Sequence, residues 1–176
     1  MKPYTYICLL AAALAGAACR NANPVAVEEA HQGEYAAAAD EPLGVQRMNA
    51  YDHTDTISLG GATYVCRIER TPSDSLPTVT DDFGVEFADN VYRLTIERNG
   101  APFLERRFTK AAFAHLLTDD MLRHSVLDGM RADTTVAGLA FVVSVSQPQS
   151  DIYQPFLLTV DGSGAIAIER DTRDIQ

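Results

Sequence analysis

The chain has 176 residues, 24 acidic and 14 basic, with a net charge of −10, 47% hydrophobic residues and no tryptophan. That length and apolar content suit one ordinary globular domain and exclude collagen, a coiled coil and wholesale disorder. The negative balance excludes a nucleic-acid partner held through its phosphates, which needs a basic stripe.

The first element is a leader. Lys2 gives a small positive start, and Ile7 to Ala18 is an unbroken run of apolar and small residues. The run is too short to span a hydrocarbon core, which takes about 20 apolar residues, so residues 1–18 read as a secretory signal peptide. Two cleavage readings stand. Leu14-Ala15-Gly16-Ala17-Ala18 before Cys19 resembles the lipobox of bacterial lipoproteins, although Gly16 stands where that pattern prefers an aliphatic residue. This resemblance implies lipidation of Cys19 and a membrane held through acyl chains. Alternatively, Ala15-Gly16-Ala17 is an A-x-A site for ordinary signal peptidase, and the product is soluble. With Cys8 removed and Cys19 acylated, Cys66 is the one remaining thiol, so no internal disulfide forms.

Residues 19–50 read as a tether. The stretch is Ala-rich at Ala36–Ala39, carries Glu28, Glu29, Glu34, Asp40 and Glu41, and is punctuated by Gly33, Gly44, Pro24 and Pro42. It offers too little apolar surface to offset the entropy of ordering.

Residues 51–176 read as a single α+β domain. Thr54–Leu59 and Ala62–Arg70 form two strands around Gly60-Gly61. Thr71–Pro77 is a loop. In Asn90–Arg98 the two-residue period turns Tyr92, Leu94 and Ile96 inward. Asn99-Gly100 marks a tight hairpin returning through Phe103–Phe108. Thr109 caps a helix over Lys110–Leu117 that places Phe113, Leu116 and Leu117 on one face. A second short turn runs through Met121, Leu122 and Val126 and ends at Gly129. Strands over Val136–Ser146, Tyr153–Val160 and Ala165–Arg170 complete a meander. The short connections call for antiparallel pairing. The expected architecture is therefore a mainly antiparallel β-sheet meander with one helix, possibly split, packed on one face.

Candidate chemistry is sparse. His31, His53, His115 and His124 lack the spacing of a zinc site, and no cofactor motif is present. Asp81 to Asp89 gathers acids around Gly84 without meeting the EF-hand pattern, and reads as a solvated loop leading into a strand. Asp119-Asp120 is a second acidic pair. Arg106-Arg107, with Arg98 and Lys110, is the one basic concentration. Cys66 sits in the strand-like Thr63–Ile68 and reads as a buried thiol. No catalytic, cofactor-binding or metal-binding residue is assigned; the one site residue is Cys19, as a lipidation site.

The pattern Phe83, Asp89-Asn90-x-Tyr92-x-Leu94-x-Ile96, then Phe108-x-Lys110-x-x-Phe113, then Pro148-x-Ser150-Asp151-x-Tyr153 and Phe156 resembles the small Bacteroidetes lipoprotein families that carry a domain of unknown function. The likeness covers roughly residues 83–168. It brings no activity with it. Cys19 is followed by Arg20-Asn21-Ala22-Asn23 rather than the Ser-plus-acidic run resembling a surface-export signal, which implies an anchor facing the periplasm. The expectation is a non-enzymatic binding or scaffolding module of the cell envelope, with an envelope protein or glycan as partner. The alternatives are an enzyme on cell-wall or glycan material through paired carboxylates of Asp81–Asp89 or Asp119-Asp120, and a small inhibitor acting through the Ser146–Pro155 loop.

Overall fold

A computed structural model describes residues 44–173. The signal peptide, Cys19, His31 and the tether to residue 43 lie outside the described residues. The fold is mostly antiparallel β with little helix. Strands β1 (Tyr51–Leu59), β2 (Ala62–Pro72), β5 (Asn90–Arg98) and β6 (Ala101–Phe108) form one four-stranded sheet in the order β1-β2-β5-β6. Between β2 and β5 the chain makes a small hairpin of β3 (Val79–Thr80) and β4 (Glu86–Phe87). Strands β7 (Val126–Ala132), β8 (Leu139–Ser146), β9 (Tyr153–Val160) and β10 (Ile166–Arg170) form the second sheet, a plain meander.

Local sequence sets these elements. Gly60-Gly61 and Asn99-Gly100 all take positive φ (59°, 78°, 52° and 79°). That is the backbone of the two-residue hairpin turn whose twist matches right-twisted strands. In β5 the burial alternates, with Tyr92, Leu94 and Ile96 at 0–1% exposure. The same period points Tyr64, Cys66 and Ile68 of β2 inward, along with Phe141, Val143 and Val145 of β8. These side chains, with Phe156, Leu158 and Val160 of β9, make one continuous core. A large side chain removed from water in such a core contributes about 1.5–3 kcal/mol.

The mainly antiparallel pairing expected from the sequence is present, and the helix packed over one face is not. The inward faces of the two sheets share the core, so a second sheet stands where one helix was expected to cover a single sheet. The helical link is short: a 3-10 segment, Lys110–Leu116, then α1 (Asp119–His124). It connects the sheets and contributes Phe113 and Met121 to the core. Thr118 caps α1 by accepting the Met121 amide at 3.2 Å. Thr109 stands at the N-cap of the 3-10 segment with no side-chain cap bond. Val126 and Gly129, expected in a helical turn, belong to β7.

The boundary between tether and domain also differs. Gln46 forms a parallel bridge with Phe87, Arg47 pairs with Asp74, and the Asn49 carbonyl accepts two bonds from Arg70. Residues 46–49 are thus a strap bound to the domain, within the stretch expected to be tether.

Candidate functional site

The strand β7 is broken in register between Leu127 and Gly129, a β-bulge. The extra residue in a bulge leaves the ladder and is re-aimed; here that is Asp128. Its carbonyl accepts the Tyr92 hydroxyl at 2.5 Å and Arg70 Nη1 at 2.9 Å. Its carboxylate accepts the Ser144 hydroxyl at 2.6 Å. A Cβ on Gly129 would overlap Ser144 Oγ, so glycine there keeps the Ser144–Asp128 bond in place. Burial pushes the Tyr92 phenol up to about 12, against the opposing pull of Arg70. Tyr92 is therefore a neutral donor at ordinary pH.

Asp128 lines three adjoining clefts. One of about 290 Å³ also holds Tyr51, Arg70 and Tyr92. One of about 300 Å³ holds Met48, Phe87 and Pro148. The widest, about 410 Å³, holds Ser144, Ser146, Ser150, Asp151 and Tyr153. The β8–β9 loop, Gln147–Ile152, borders the last two and a fourth cleft of about 90 Å³ against the tip of the β3–β4 hairpin. This end of the molecule exposes three large apolar side chains: Phe83 at 86%, Ile152 at 54% and Tyr153 at 57%.

Both loops are braced from within. Asp81 Oδ1 accepts the amides of Phe83 and Val85 at 2.9 Å each, the Asp81 amide donates to the Val85 carbonyl at 3.0 Å, and Gly84 takes φ 81°. In the β8–β9 loop the Gln147 amide donates to the Ile152 carbonyl at 2.9 Å and the Ile152 amide to Ser150 Oγ at 3.0 Å. Phe83 and Ile152 are therefore presented to solvent by ordered turns, whose conformational entropy is already spent.

The acidic run Asp81–Asp89 is divided by the hairpin. Asp81 builds the turn and Asp82 is exposed at its tip, whereas Asp89 points inward, 4% exposed. Asp89 Oδ1 accepts the amides of Asn90 and Leu127 at 2.8 Å, and Lys110 Nζ lies 3.7 Å from Oδ2. Burial lowers the Lys110 ammonium from its usual range while Asp89 holds it up. Lys110 thereby leaves the basic concentration expected with Arg106-Arg107 and ties the 3-10 segment to the end of α1 through the Ser125 carbonyl.

Asp119 and Asp120 sit in the first turn of α1, where Asp120 holds His124 Nδ1 at 3.0 Å and Gln147 Nε2 at 2.9 Å. His53 pairs with Asp55 at 3.2 Å, and His115 is an exposed residue of the 3-10 segment. Cys66 is fully buried, its thiol pushed up to about 11 by burial and then by Asp55. Among the described residues no group of three or more His, Cys, Asp or Glu gathers as metal ligands.

Sequence reasoning missed Asp128, Ser144 and the Arg70–Tyr92 pair. The signal present was the Asp128-Gly129 dipeptide inside an otherwise apolar stretch, since a lone glycine in a strand marks a bulge. The Ser146–Pro155 stretch named as a candidate contact does border the clefts.

No curated protein matches the chain. Residues 31–168 match the sequence model of a family described as a domain of unknown function, DUF4738. The match takes in both sheets up to β10, the bulge at Asp128 and both bordering loops, and the chain belongs to the DUF4738 family.

Proposed function

We propose that the protein is a lipid-anchored binding module of the bacterial envelope, held through Cys19 and facing the periplasm. It contacts its partner with the end of the domain formed by the β3–β4 hairpin and the β8–β9 loop. The carrying observation is the exposure of Phe83, Ile152 and Tyr153 on loops fixed by their own hydrogen bonds. Exposed aromatics beside polar clefts are the usual anchors of a contact surface. The anchor reading is supported by the lipobox-like run before Cys19 and by the acidic balance of the chain. That balance leaves acyl chains rather than a basic patch to supply membrane affinity.

Two measurements in a lipoprotein-competent bacterium test this. Radiolabelled palmitate enters the wild-type chain and not Cys19→Ala; equal labelling of both, or of neither, removes the anchor. A photo-cross-linking residue at position 152 captures a discrete envelope species, and Phe83→Ser diminishes that capture at least fivefold. A capture pattern identical to that from position 59, on the β1–β2 hairpin, removes the binding surface.

A further inference from the structure

Strand β7 is an edge of the second sheet, and the bulge divides its free side in two. The Asp133 amide donates to the Ala140 carbonyl at 2.8 Å, one step beyond the Ala132–Phe141 pair. Antiparallel pairs alternate between those that exchange ladder bonds and those that do not. Counting back from Asp133, Arg131 turns its N–H and C=O to β8, whereas Met130 and Ala132 turn theirs to the free side. The Leu127 amide and carbonyl and the Asp128 carbonyl face the same way. These three groups are capped from outside the second sheet. Asp89 Oδ1 takes the Leu127 amide at 2.8 Å, Asn90 Nδ2 donates to the Leu127 carbonyl at 2.9 Å, and Tyr92 and Arg70 hold the Asp128 carbonyl. Among the described residues no group caps Met130 or Ala132.

Space stands open beside that uncapped stretch. The cleft of about 290 Å³ runs along Asp128–Arg131 and is also lined by Tyr51, Arg70 and Tyr92. In the register of β1 with β2, His53, Asp55 and Ile57 lie beside Ile68, Cys66 and Tyr64 and so share the inward face. The three β2 side chains are buried, while His53 is exposed and Asp55 and Ile57 are half-buried. The second sheet therefore stops short of β1. Its β7 edge packs against β2 and β5, and its β9–β10 turn reaches Leu104 of β6 at the other side. A further strand on β7 falls over the uncovered strip of β1.

The charges name the occupant. Edge strands are ordinarily guarded by charged side chains. β1 carries Asp52 and Asp55, β6 carries Glu105, Arg106 and Arg107, and β10 carries Glu169 and Arg170. From Gly129 to Ala132, β7 carries Arg131 alone. Arg131 and Arg70 both line the cleft, and among the described residues neither forms an ion pair with a carboxylate. The Asp128 carboxylate is held by Ser144 of β8. A strand lying here is matched by an acidic side chain opposite Arg131. A second copy is disfavoured. Two-fold pairing through both Met130 and Ala132 sets Arg131 directly against Arg131 of the other copy, and like charges so placed destabilise a sheet.

We propose that the edge of β7 from Gly129 to Ala132 takes an extended segment of a partner protein as a fifth strand, with an acidic side chain opposite Arg131. Its backbone bonds to Met130 and Ala132, and its inward side chains lie over Tyr51 and His53. This is strand addition at a sheet edge. The site is separate from the Phe83–Ile152 end and does not depend on it.

The test uses the mature chain, isotope-labelled for amide NMR, and the acetylated, amidated peptide Thr-Val-Glu-Val-Thr. Its counterparts have lysine at the centre or both valine amides N-methylated. In the free chain the Met130 and Ala132 amides are expected to exchange with solvent at least tenfold faster than the Leu127 amide. At saturation the glutamate peptide is expected to slow both at least fivefold and to shift the amides of 129–132. The lysine peptide is expected to bind at least threefold more weakly, and the N-methylated peptide to leave exchange unchanged. Arg131→Glu alters an exposed side chain and is expected to reverse the order of the glutamate and lysine peptides. Phe83→Ser is expected to leave binding within twofold. No slowing by the glutamate peptide, an unchanged order in Arg131→Glu, or loss of binding in Phe83→Ser overturns the inference. Met130 and Ala132 amides as slow as Leu127 in the free chain also overturn it, since the edge is then already filled. Protection that fades on dilution assigns the edge to a second copy, and protection that persists assigns it to another segment of this chain.

Discussion

At the scale of single residues, the most constrained place is the Gly129–Ser144–Asp128 trio. The bulge swings Asp128 out of the ladder, and Ser144 Oγ fixes its carboxylate at 2.6 Å. Ser144 Cβ lies 3.5 Å from where a Cβ on residue 129 would stand, an ordinary contact; the obstacle is the hydroxyl oxygen alone. Gly129→Ala is therefore expected to destabilise the domain by about 1–3 kcal/mol, the cost of an overpacked site. Removing the oxygen as well, in G129A/S144A, is expected to leave the protein more stable than G129A. Urea unfolding of the two single variants and the double variant reads the coupling. Additive losses would show that the glycine is required for a reason other than this contact. The Asp-Gly pair was visible in the sequence, but its meaning was not. A strand was not expected at 126–132, because the bulge breaks the two-residue alternation by which strands are recognised.

At the scale of elements, the hairpins were legible and the link between sheets was not. Asn90–Arg98 with Asn99-Gly100 carries its own register, since alternation and turn chemistry are local. The segment after Thr109 has helical spacing at Phe113, Leu116 and Leu117, yet it folds as a 3-10 turn of seven residues. Its conformation is set by where Phe113 must go. The ring is fully buried, 6.4 Å from Phe108 at the end of β6 and 5.0 Å from Phe156 of β9, measured between centroids. One side chain thus bridges the two sheets, which overrides a modest helical preference. The two-residue strands β3 and β4 were missed for a related reason. They are too short for a period to show, and they exist because Asp81 closes the turn and Gln46 pairs alongside. Phe113→Ala is expected to cost about 3–5 kcal/mol, the range for a large aromatic removed from a core. Phe83→Ala, at a ring 86% exposed, is expected to leave stability within about 0.5 kcal/mol. Thermal unfolding of the two variants separates a side chain that holds the fold from one available for contact; similar losses from both would contradict this division.

At the scale of the molecule, the sandwich could not be read from the strand patterns. Each sheet shows one apolar face, and nothing local says whether a helix or another sheet covers it. Within the second sheet, the Arg173 cluster joins the chain beyond β7 to the chain beyond β10, the two edge strands of that sheet. Arg173 Nη2 lies 2.8 Å from Asp133 Oδ2, beyond the end of β7, and 2.6 Å from Asp171 Oδ2, beyond β10. Both acids are 5% exposed. The Thr135 hydroxyl first, then its amide and the Arg173 guanidinium, hold the Asp133 carboxyl at about 2 against the upward push of burial. Arg173 likewise holds Asp171 below the usual carboxylate range.

A carboxyl depressed in the folded state stabilises the fold fully above its unfolded value, about 3.9. Protonation then removes that stabilisation as pH falls through the folded value. Asp52 and Asp161 shift the same way but are exposed and add little. Stability is therefore expected to be level near neutral pH and to drop between roughly pH 4 and pH 2, with protons taken up on unfolding. In Asp133→Asn the drop over that window is expected to be shallower by about one proton, because the substituted group no longer titrates. The measurement is urea midpoints from pH 7 to pH 2 for the wild type and Asp133→Asn. Parallel curves would mean that Asp133 is as easily protonated folded as unfolded. The Arg173 cluster would then lose its place among the contacts that make the fold sensitive to acid.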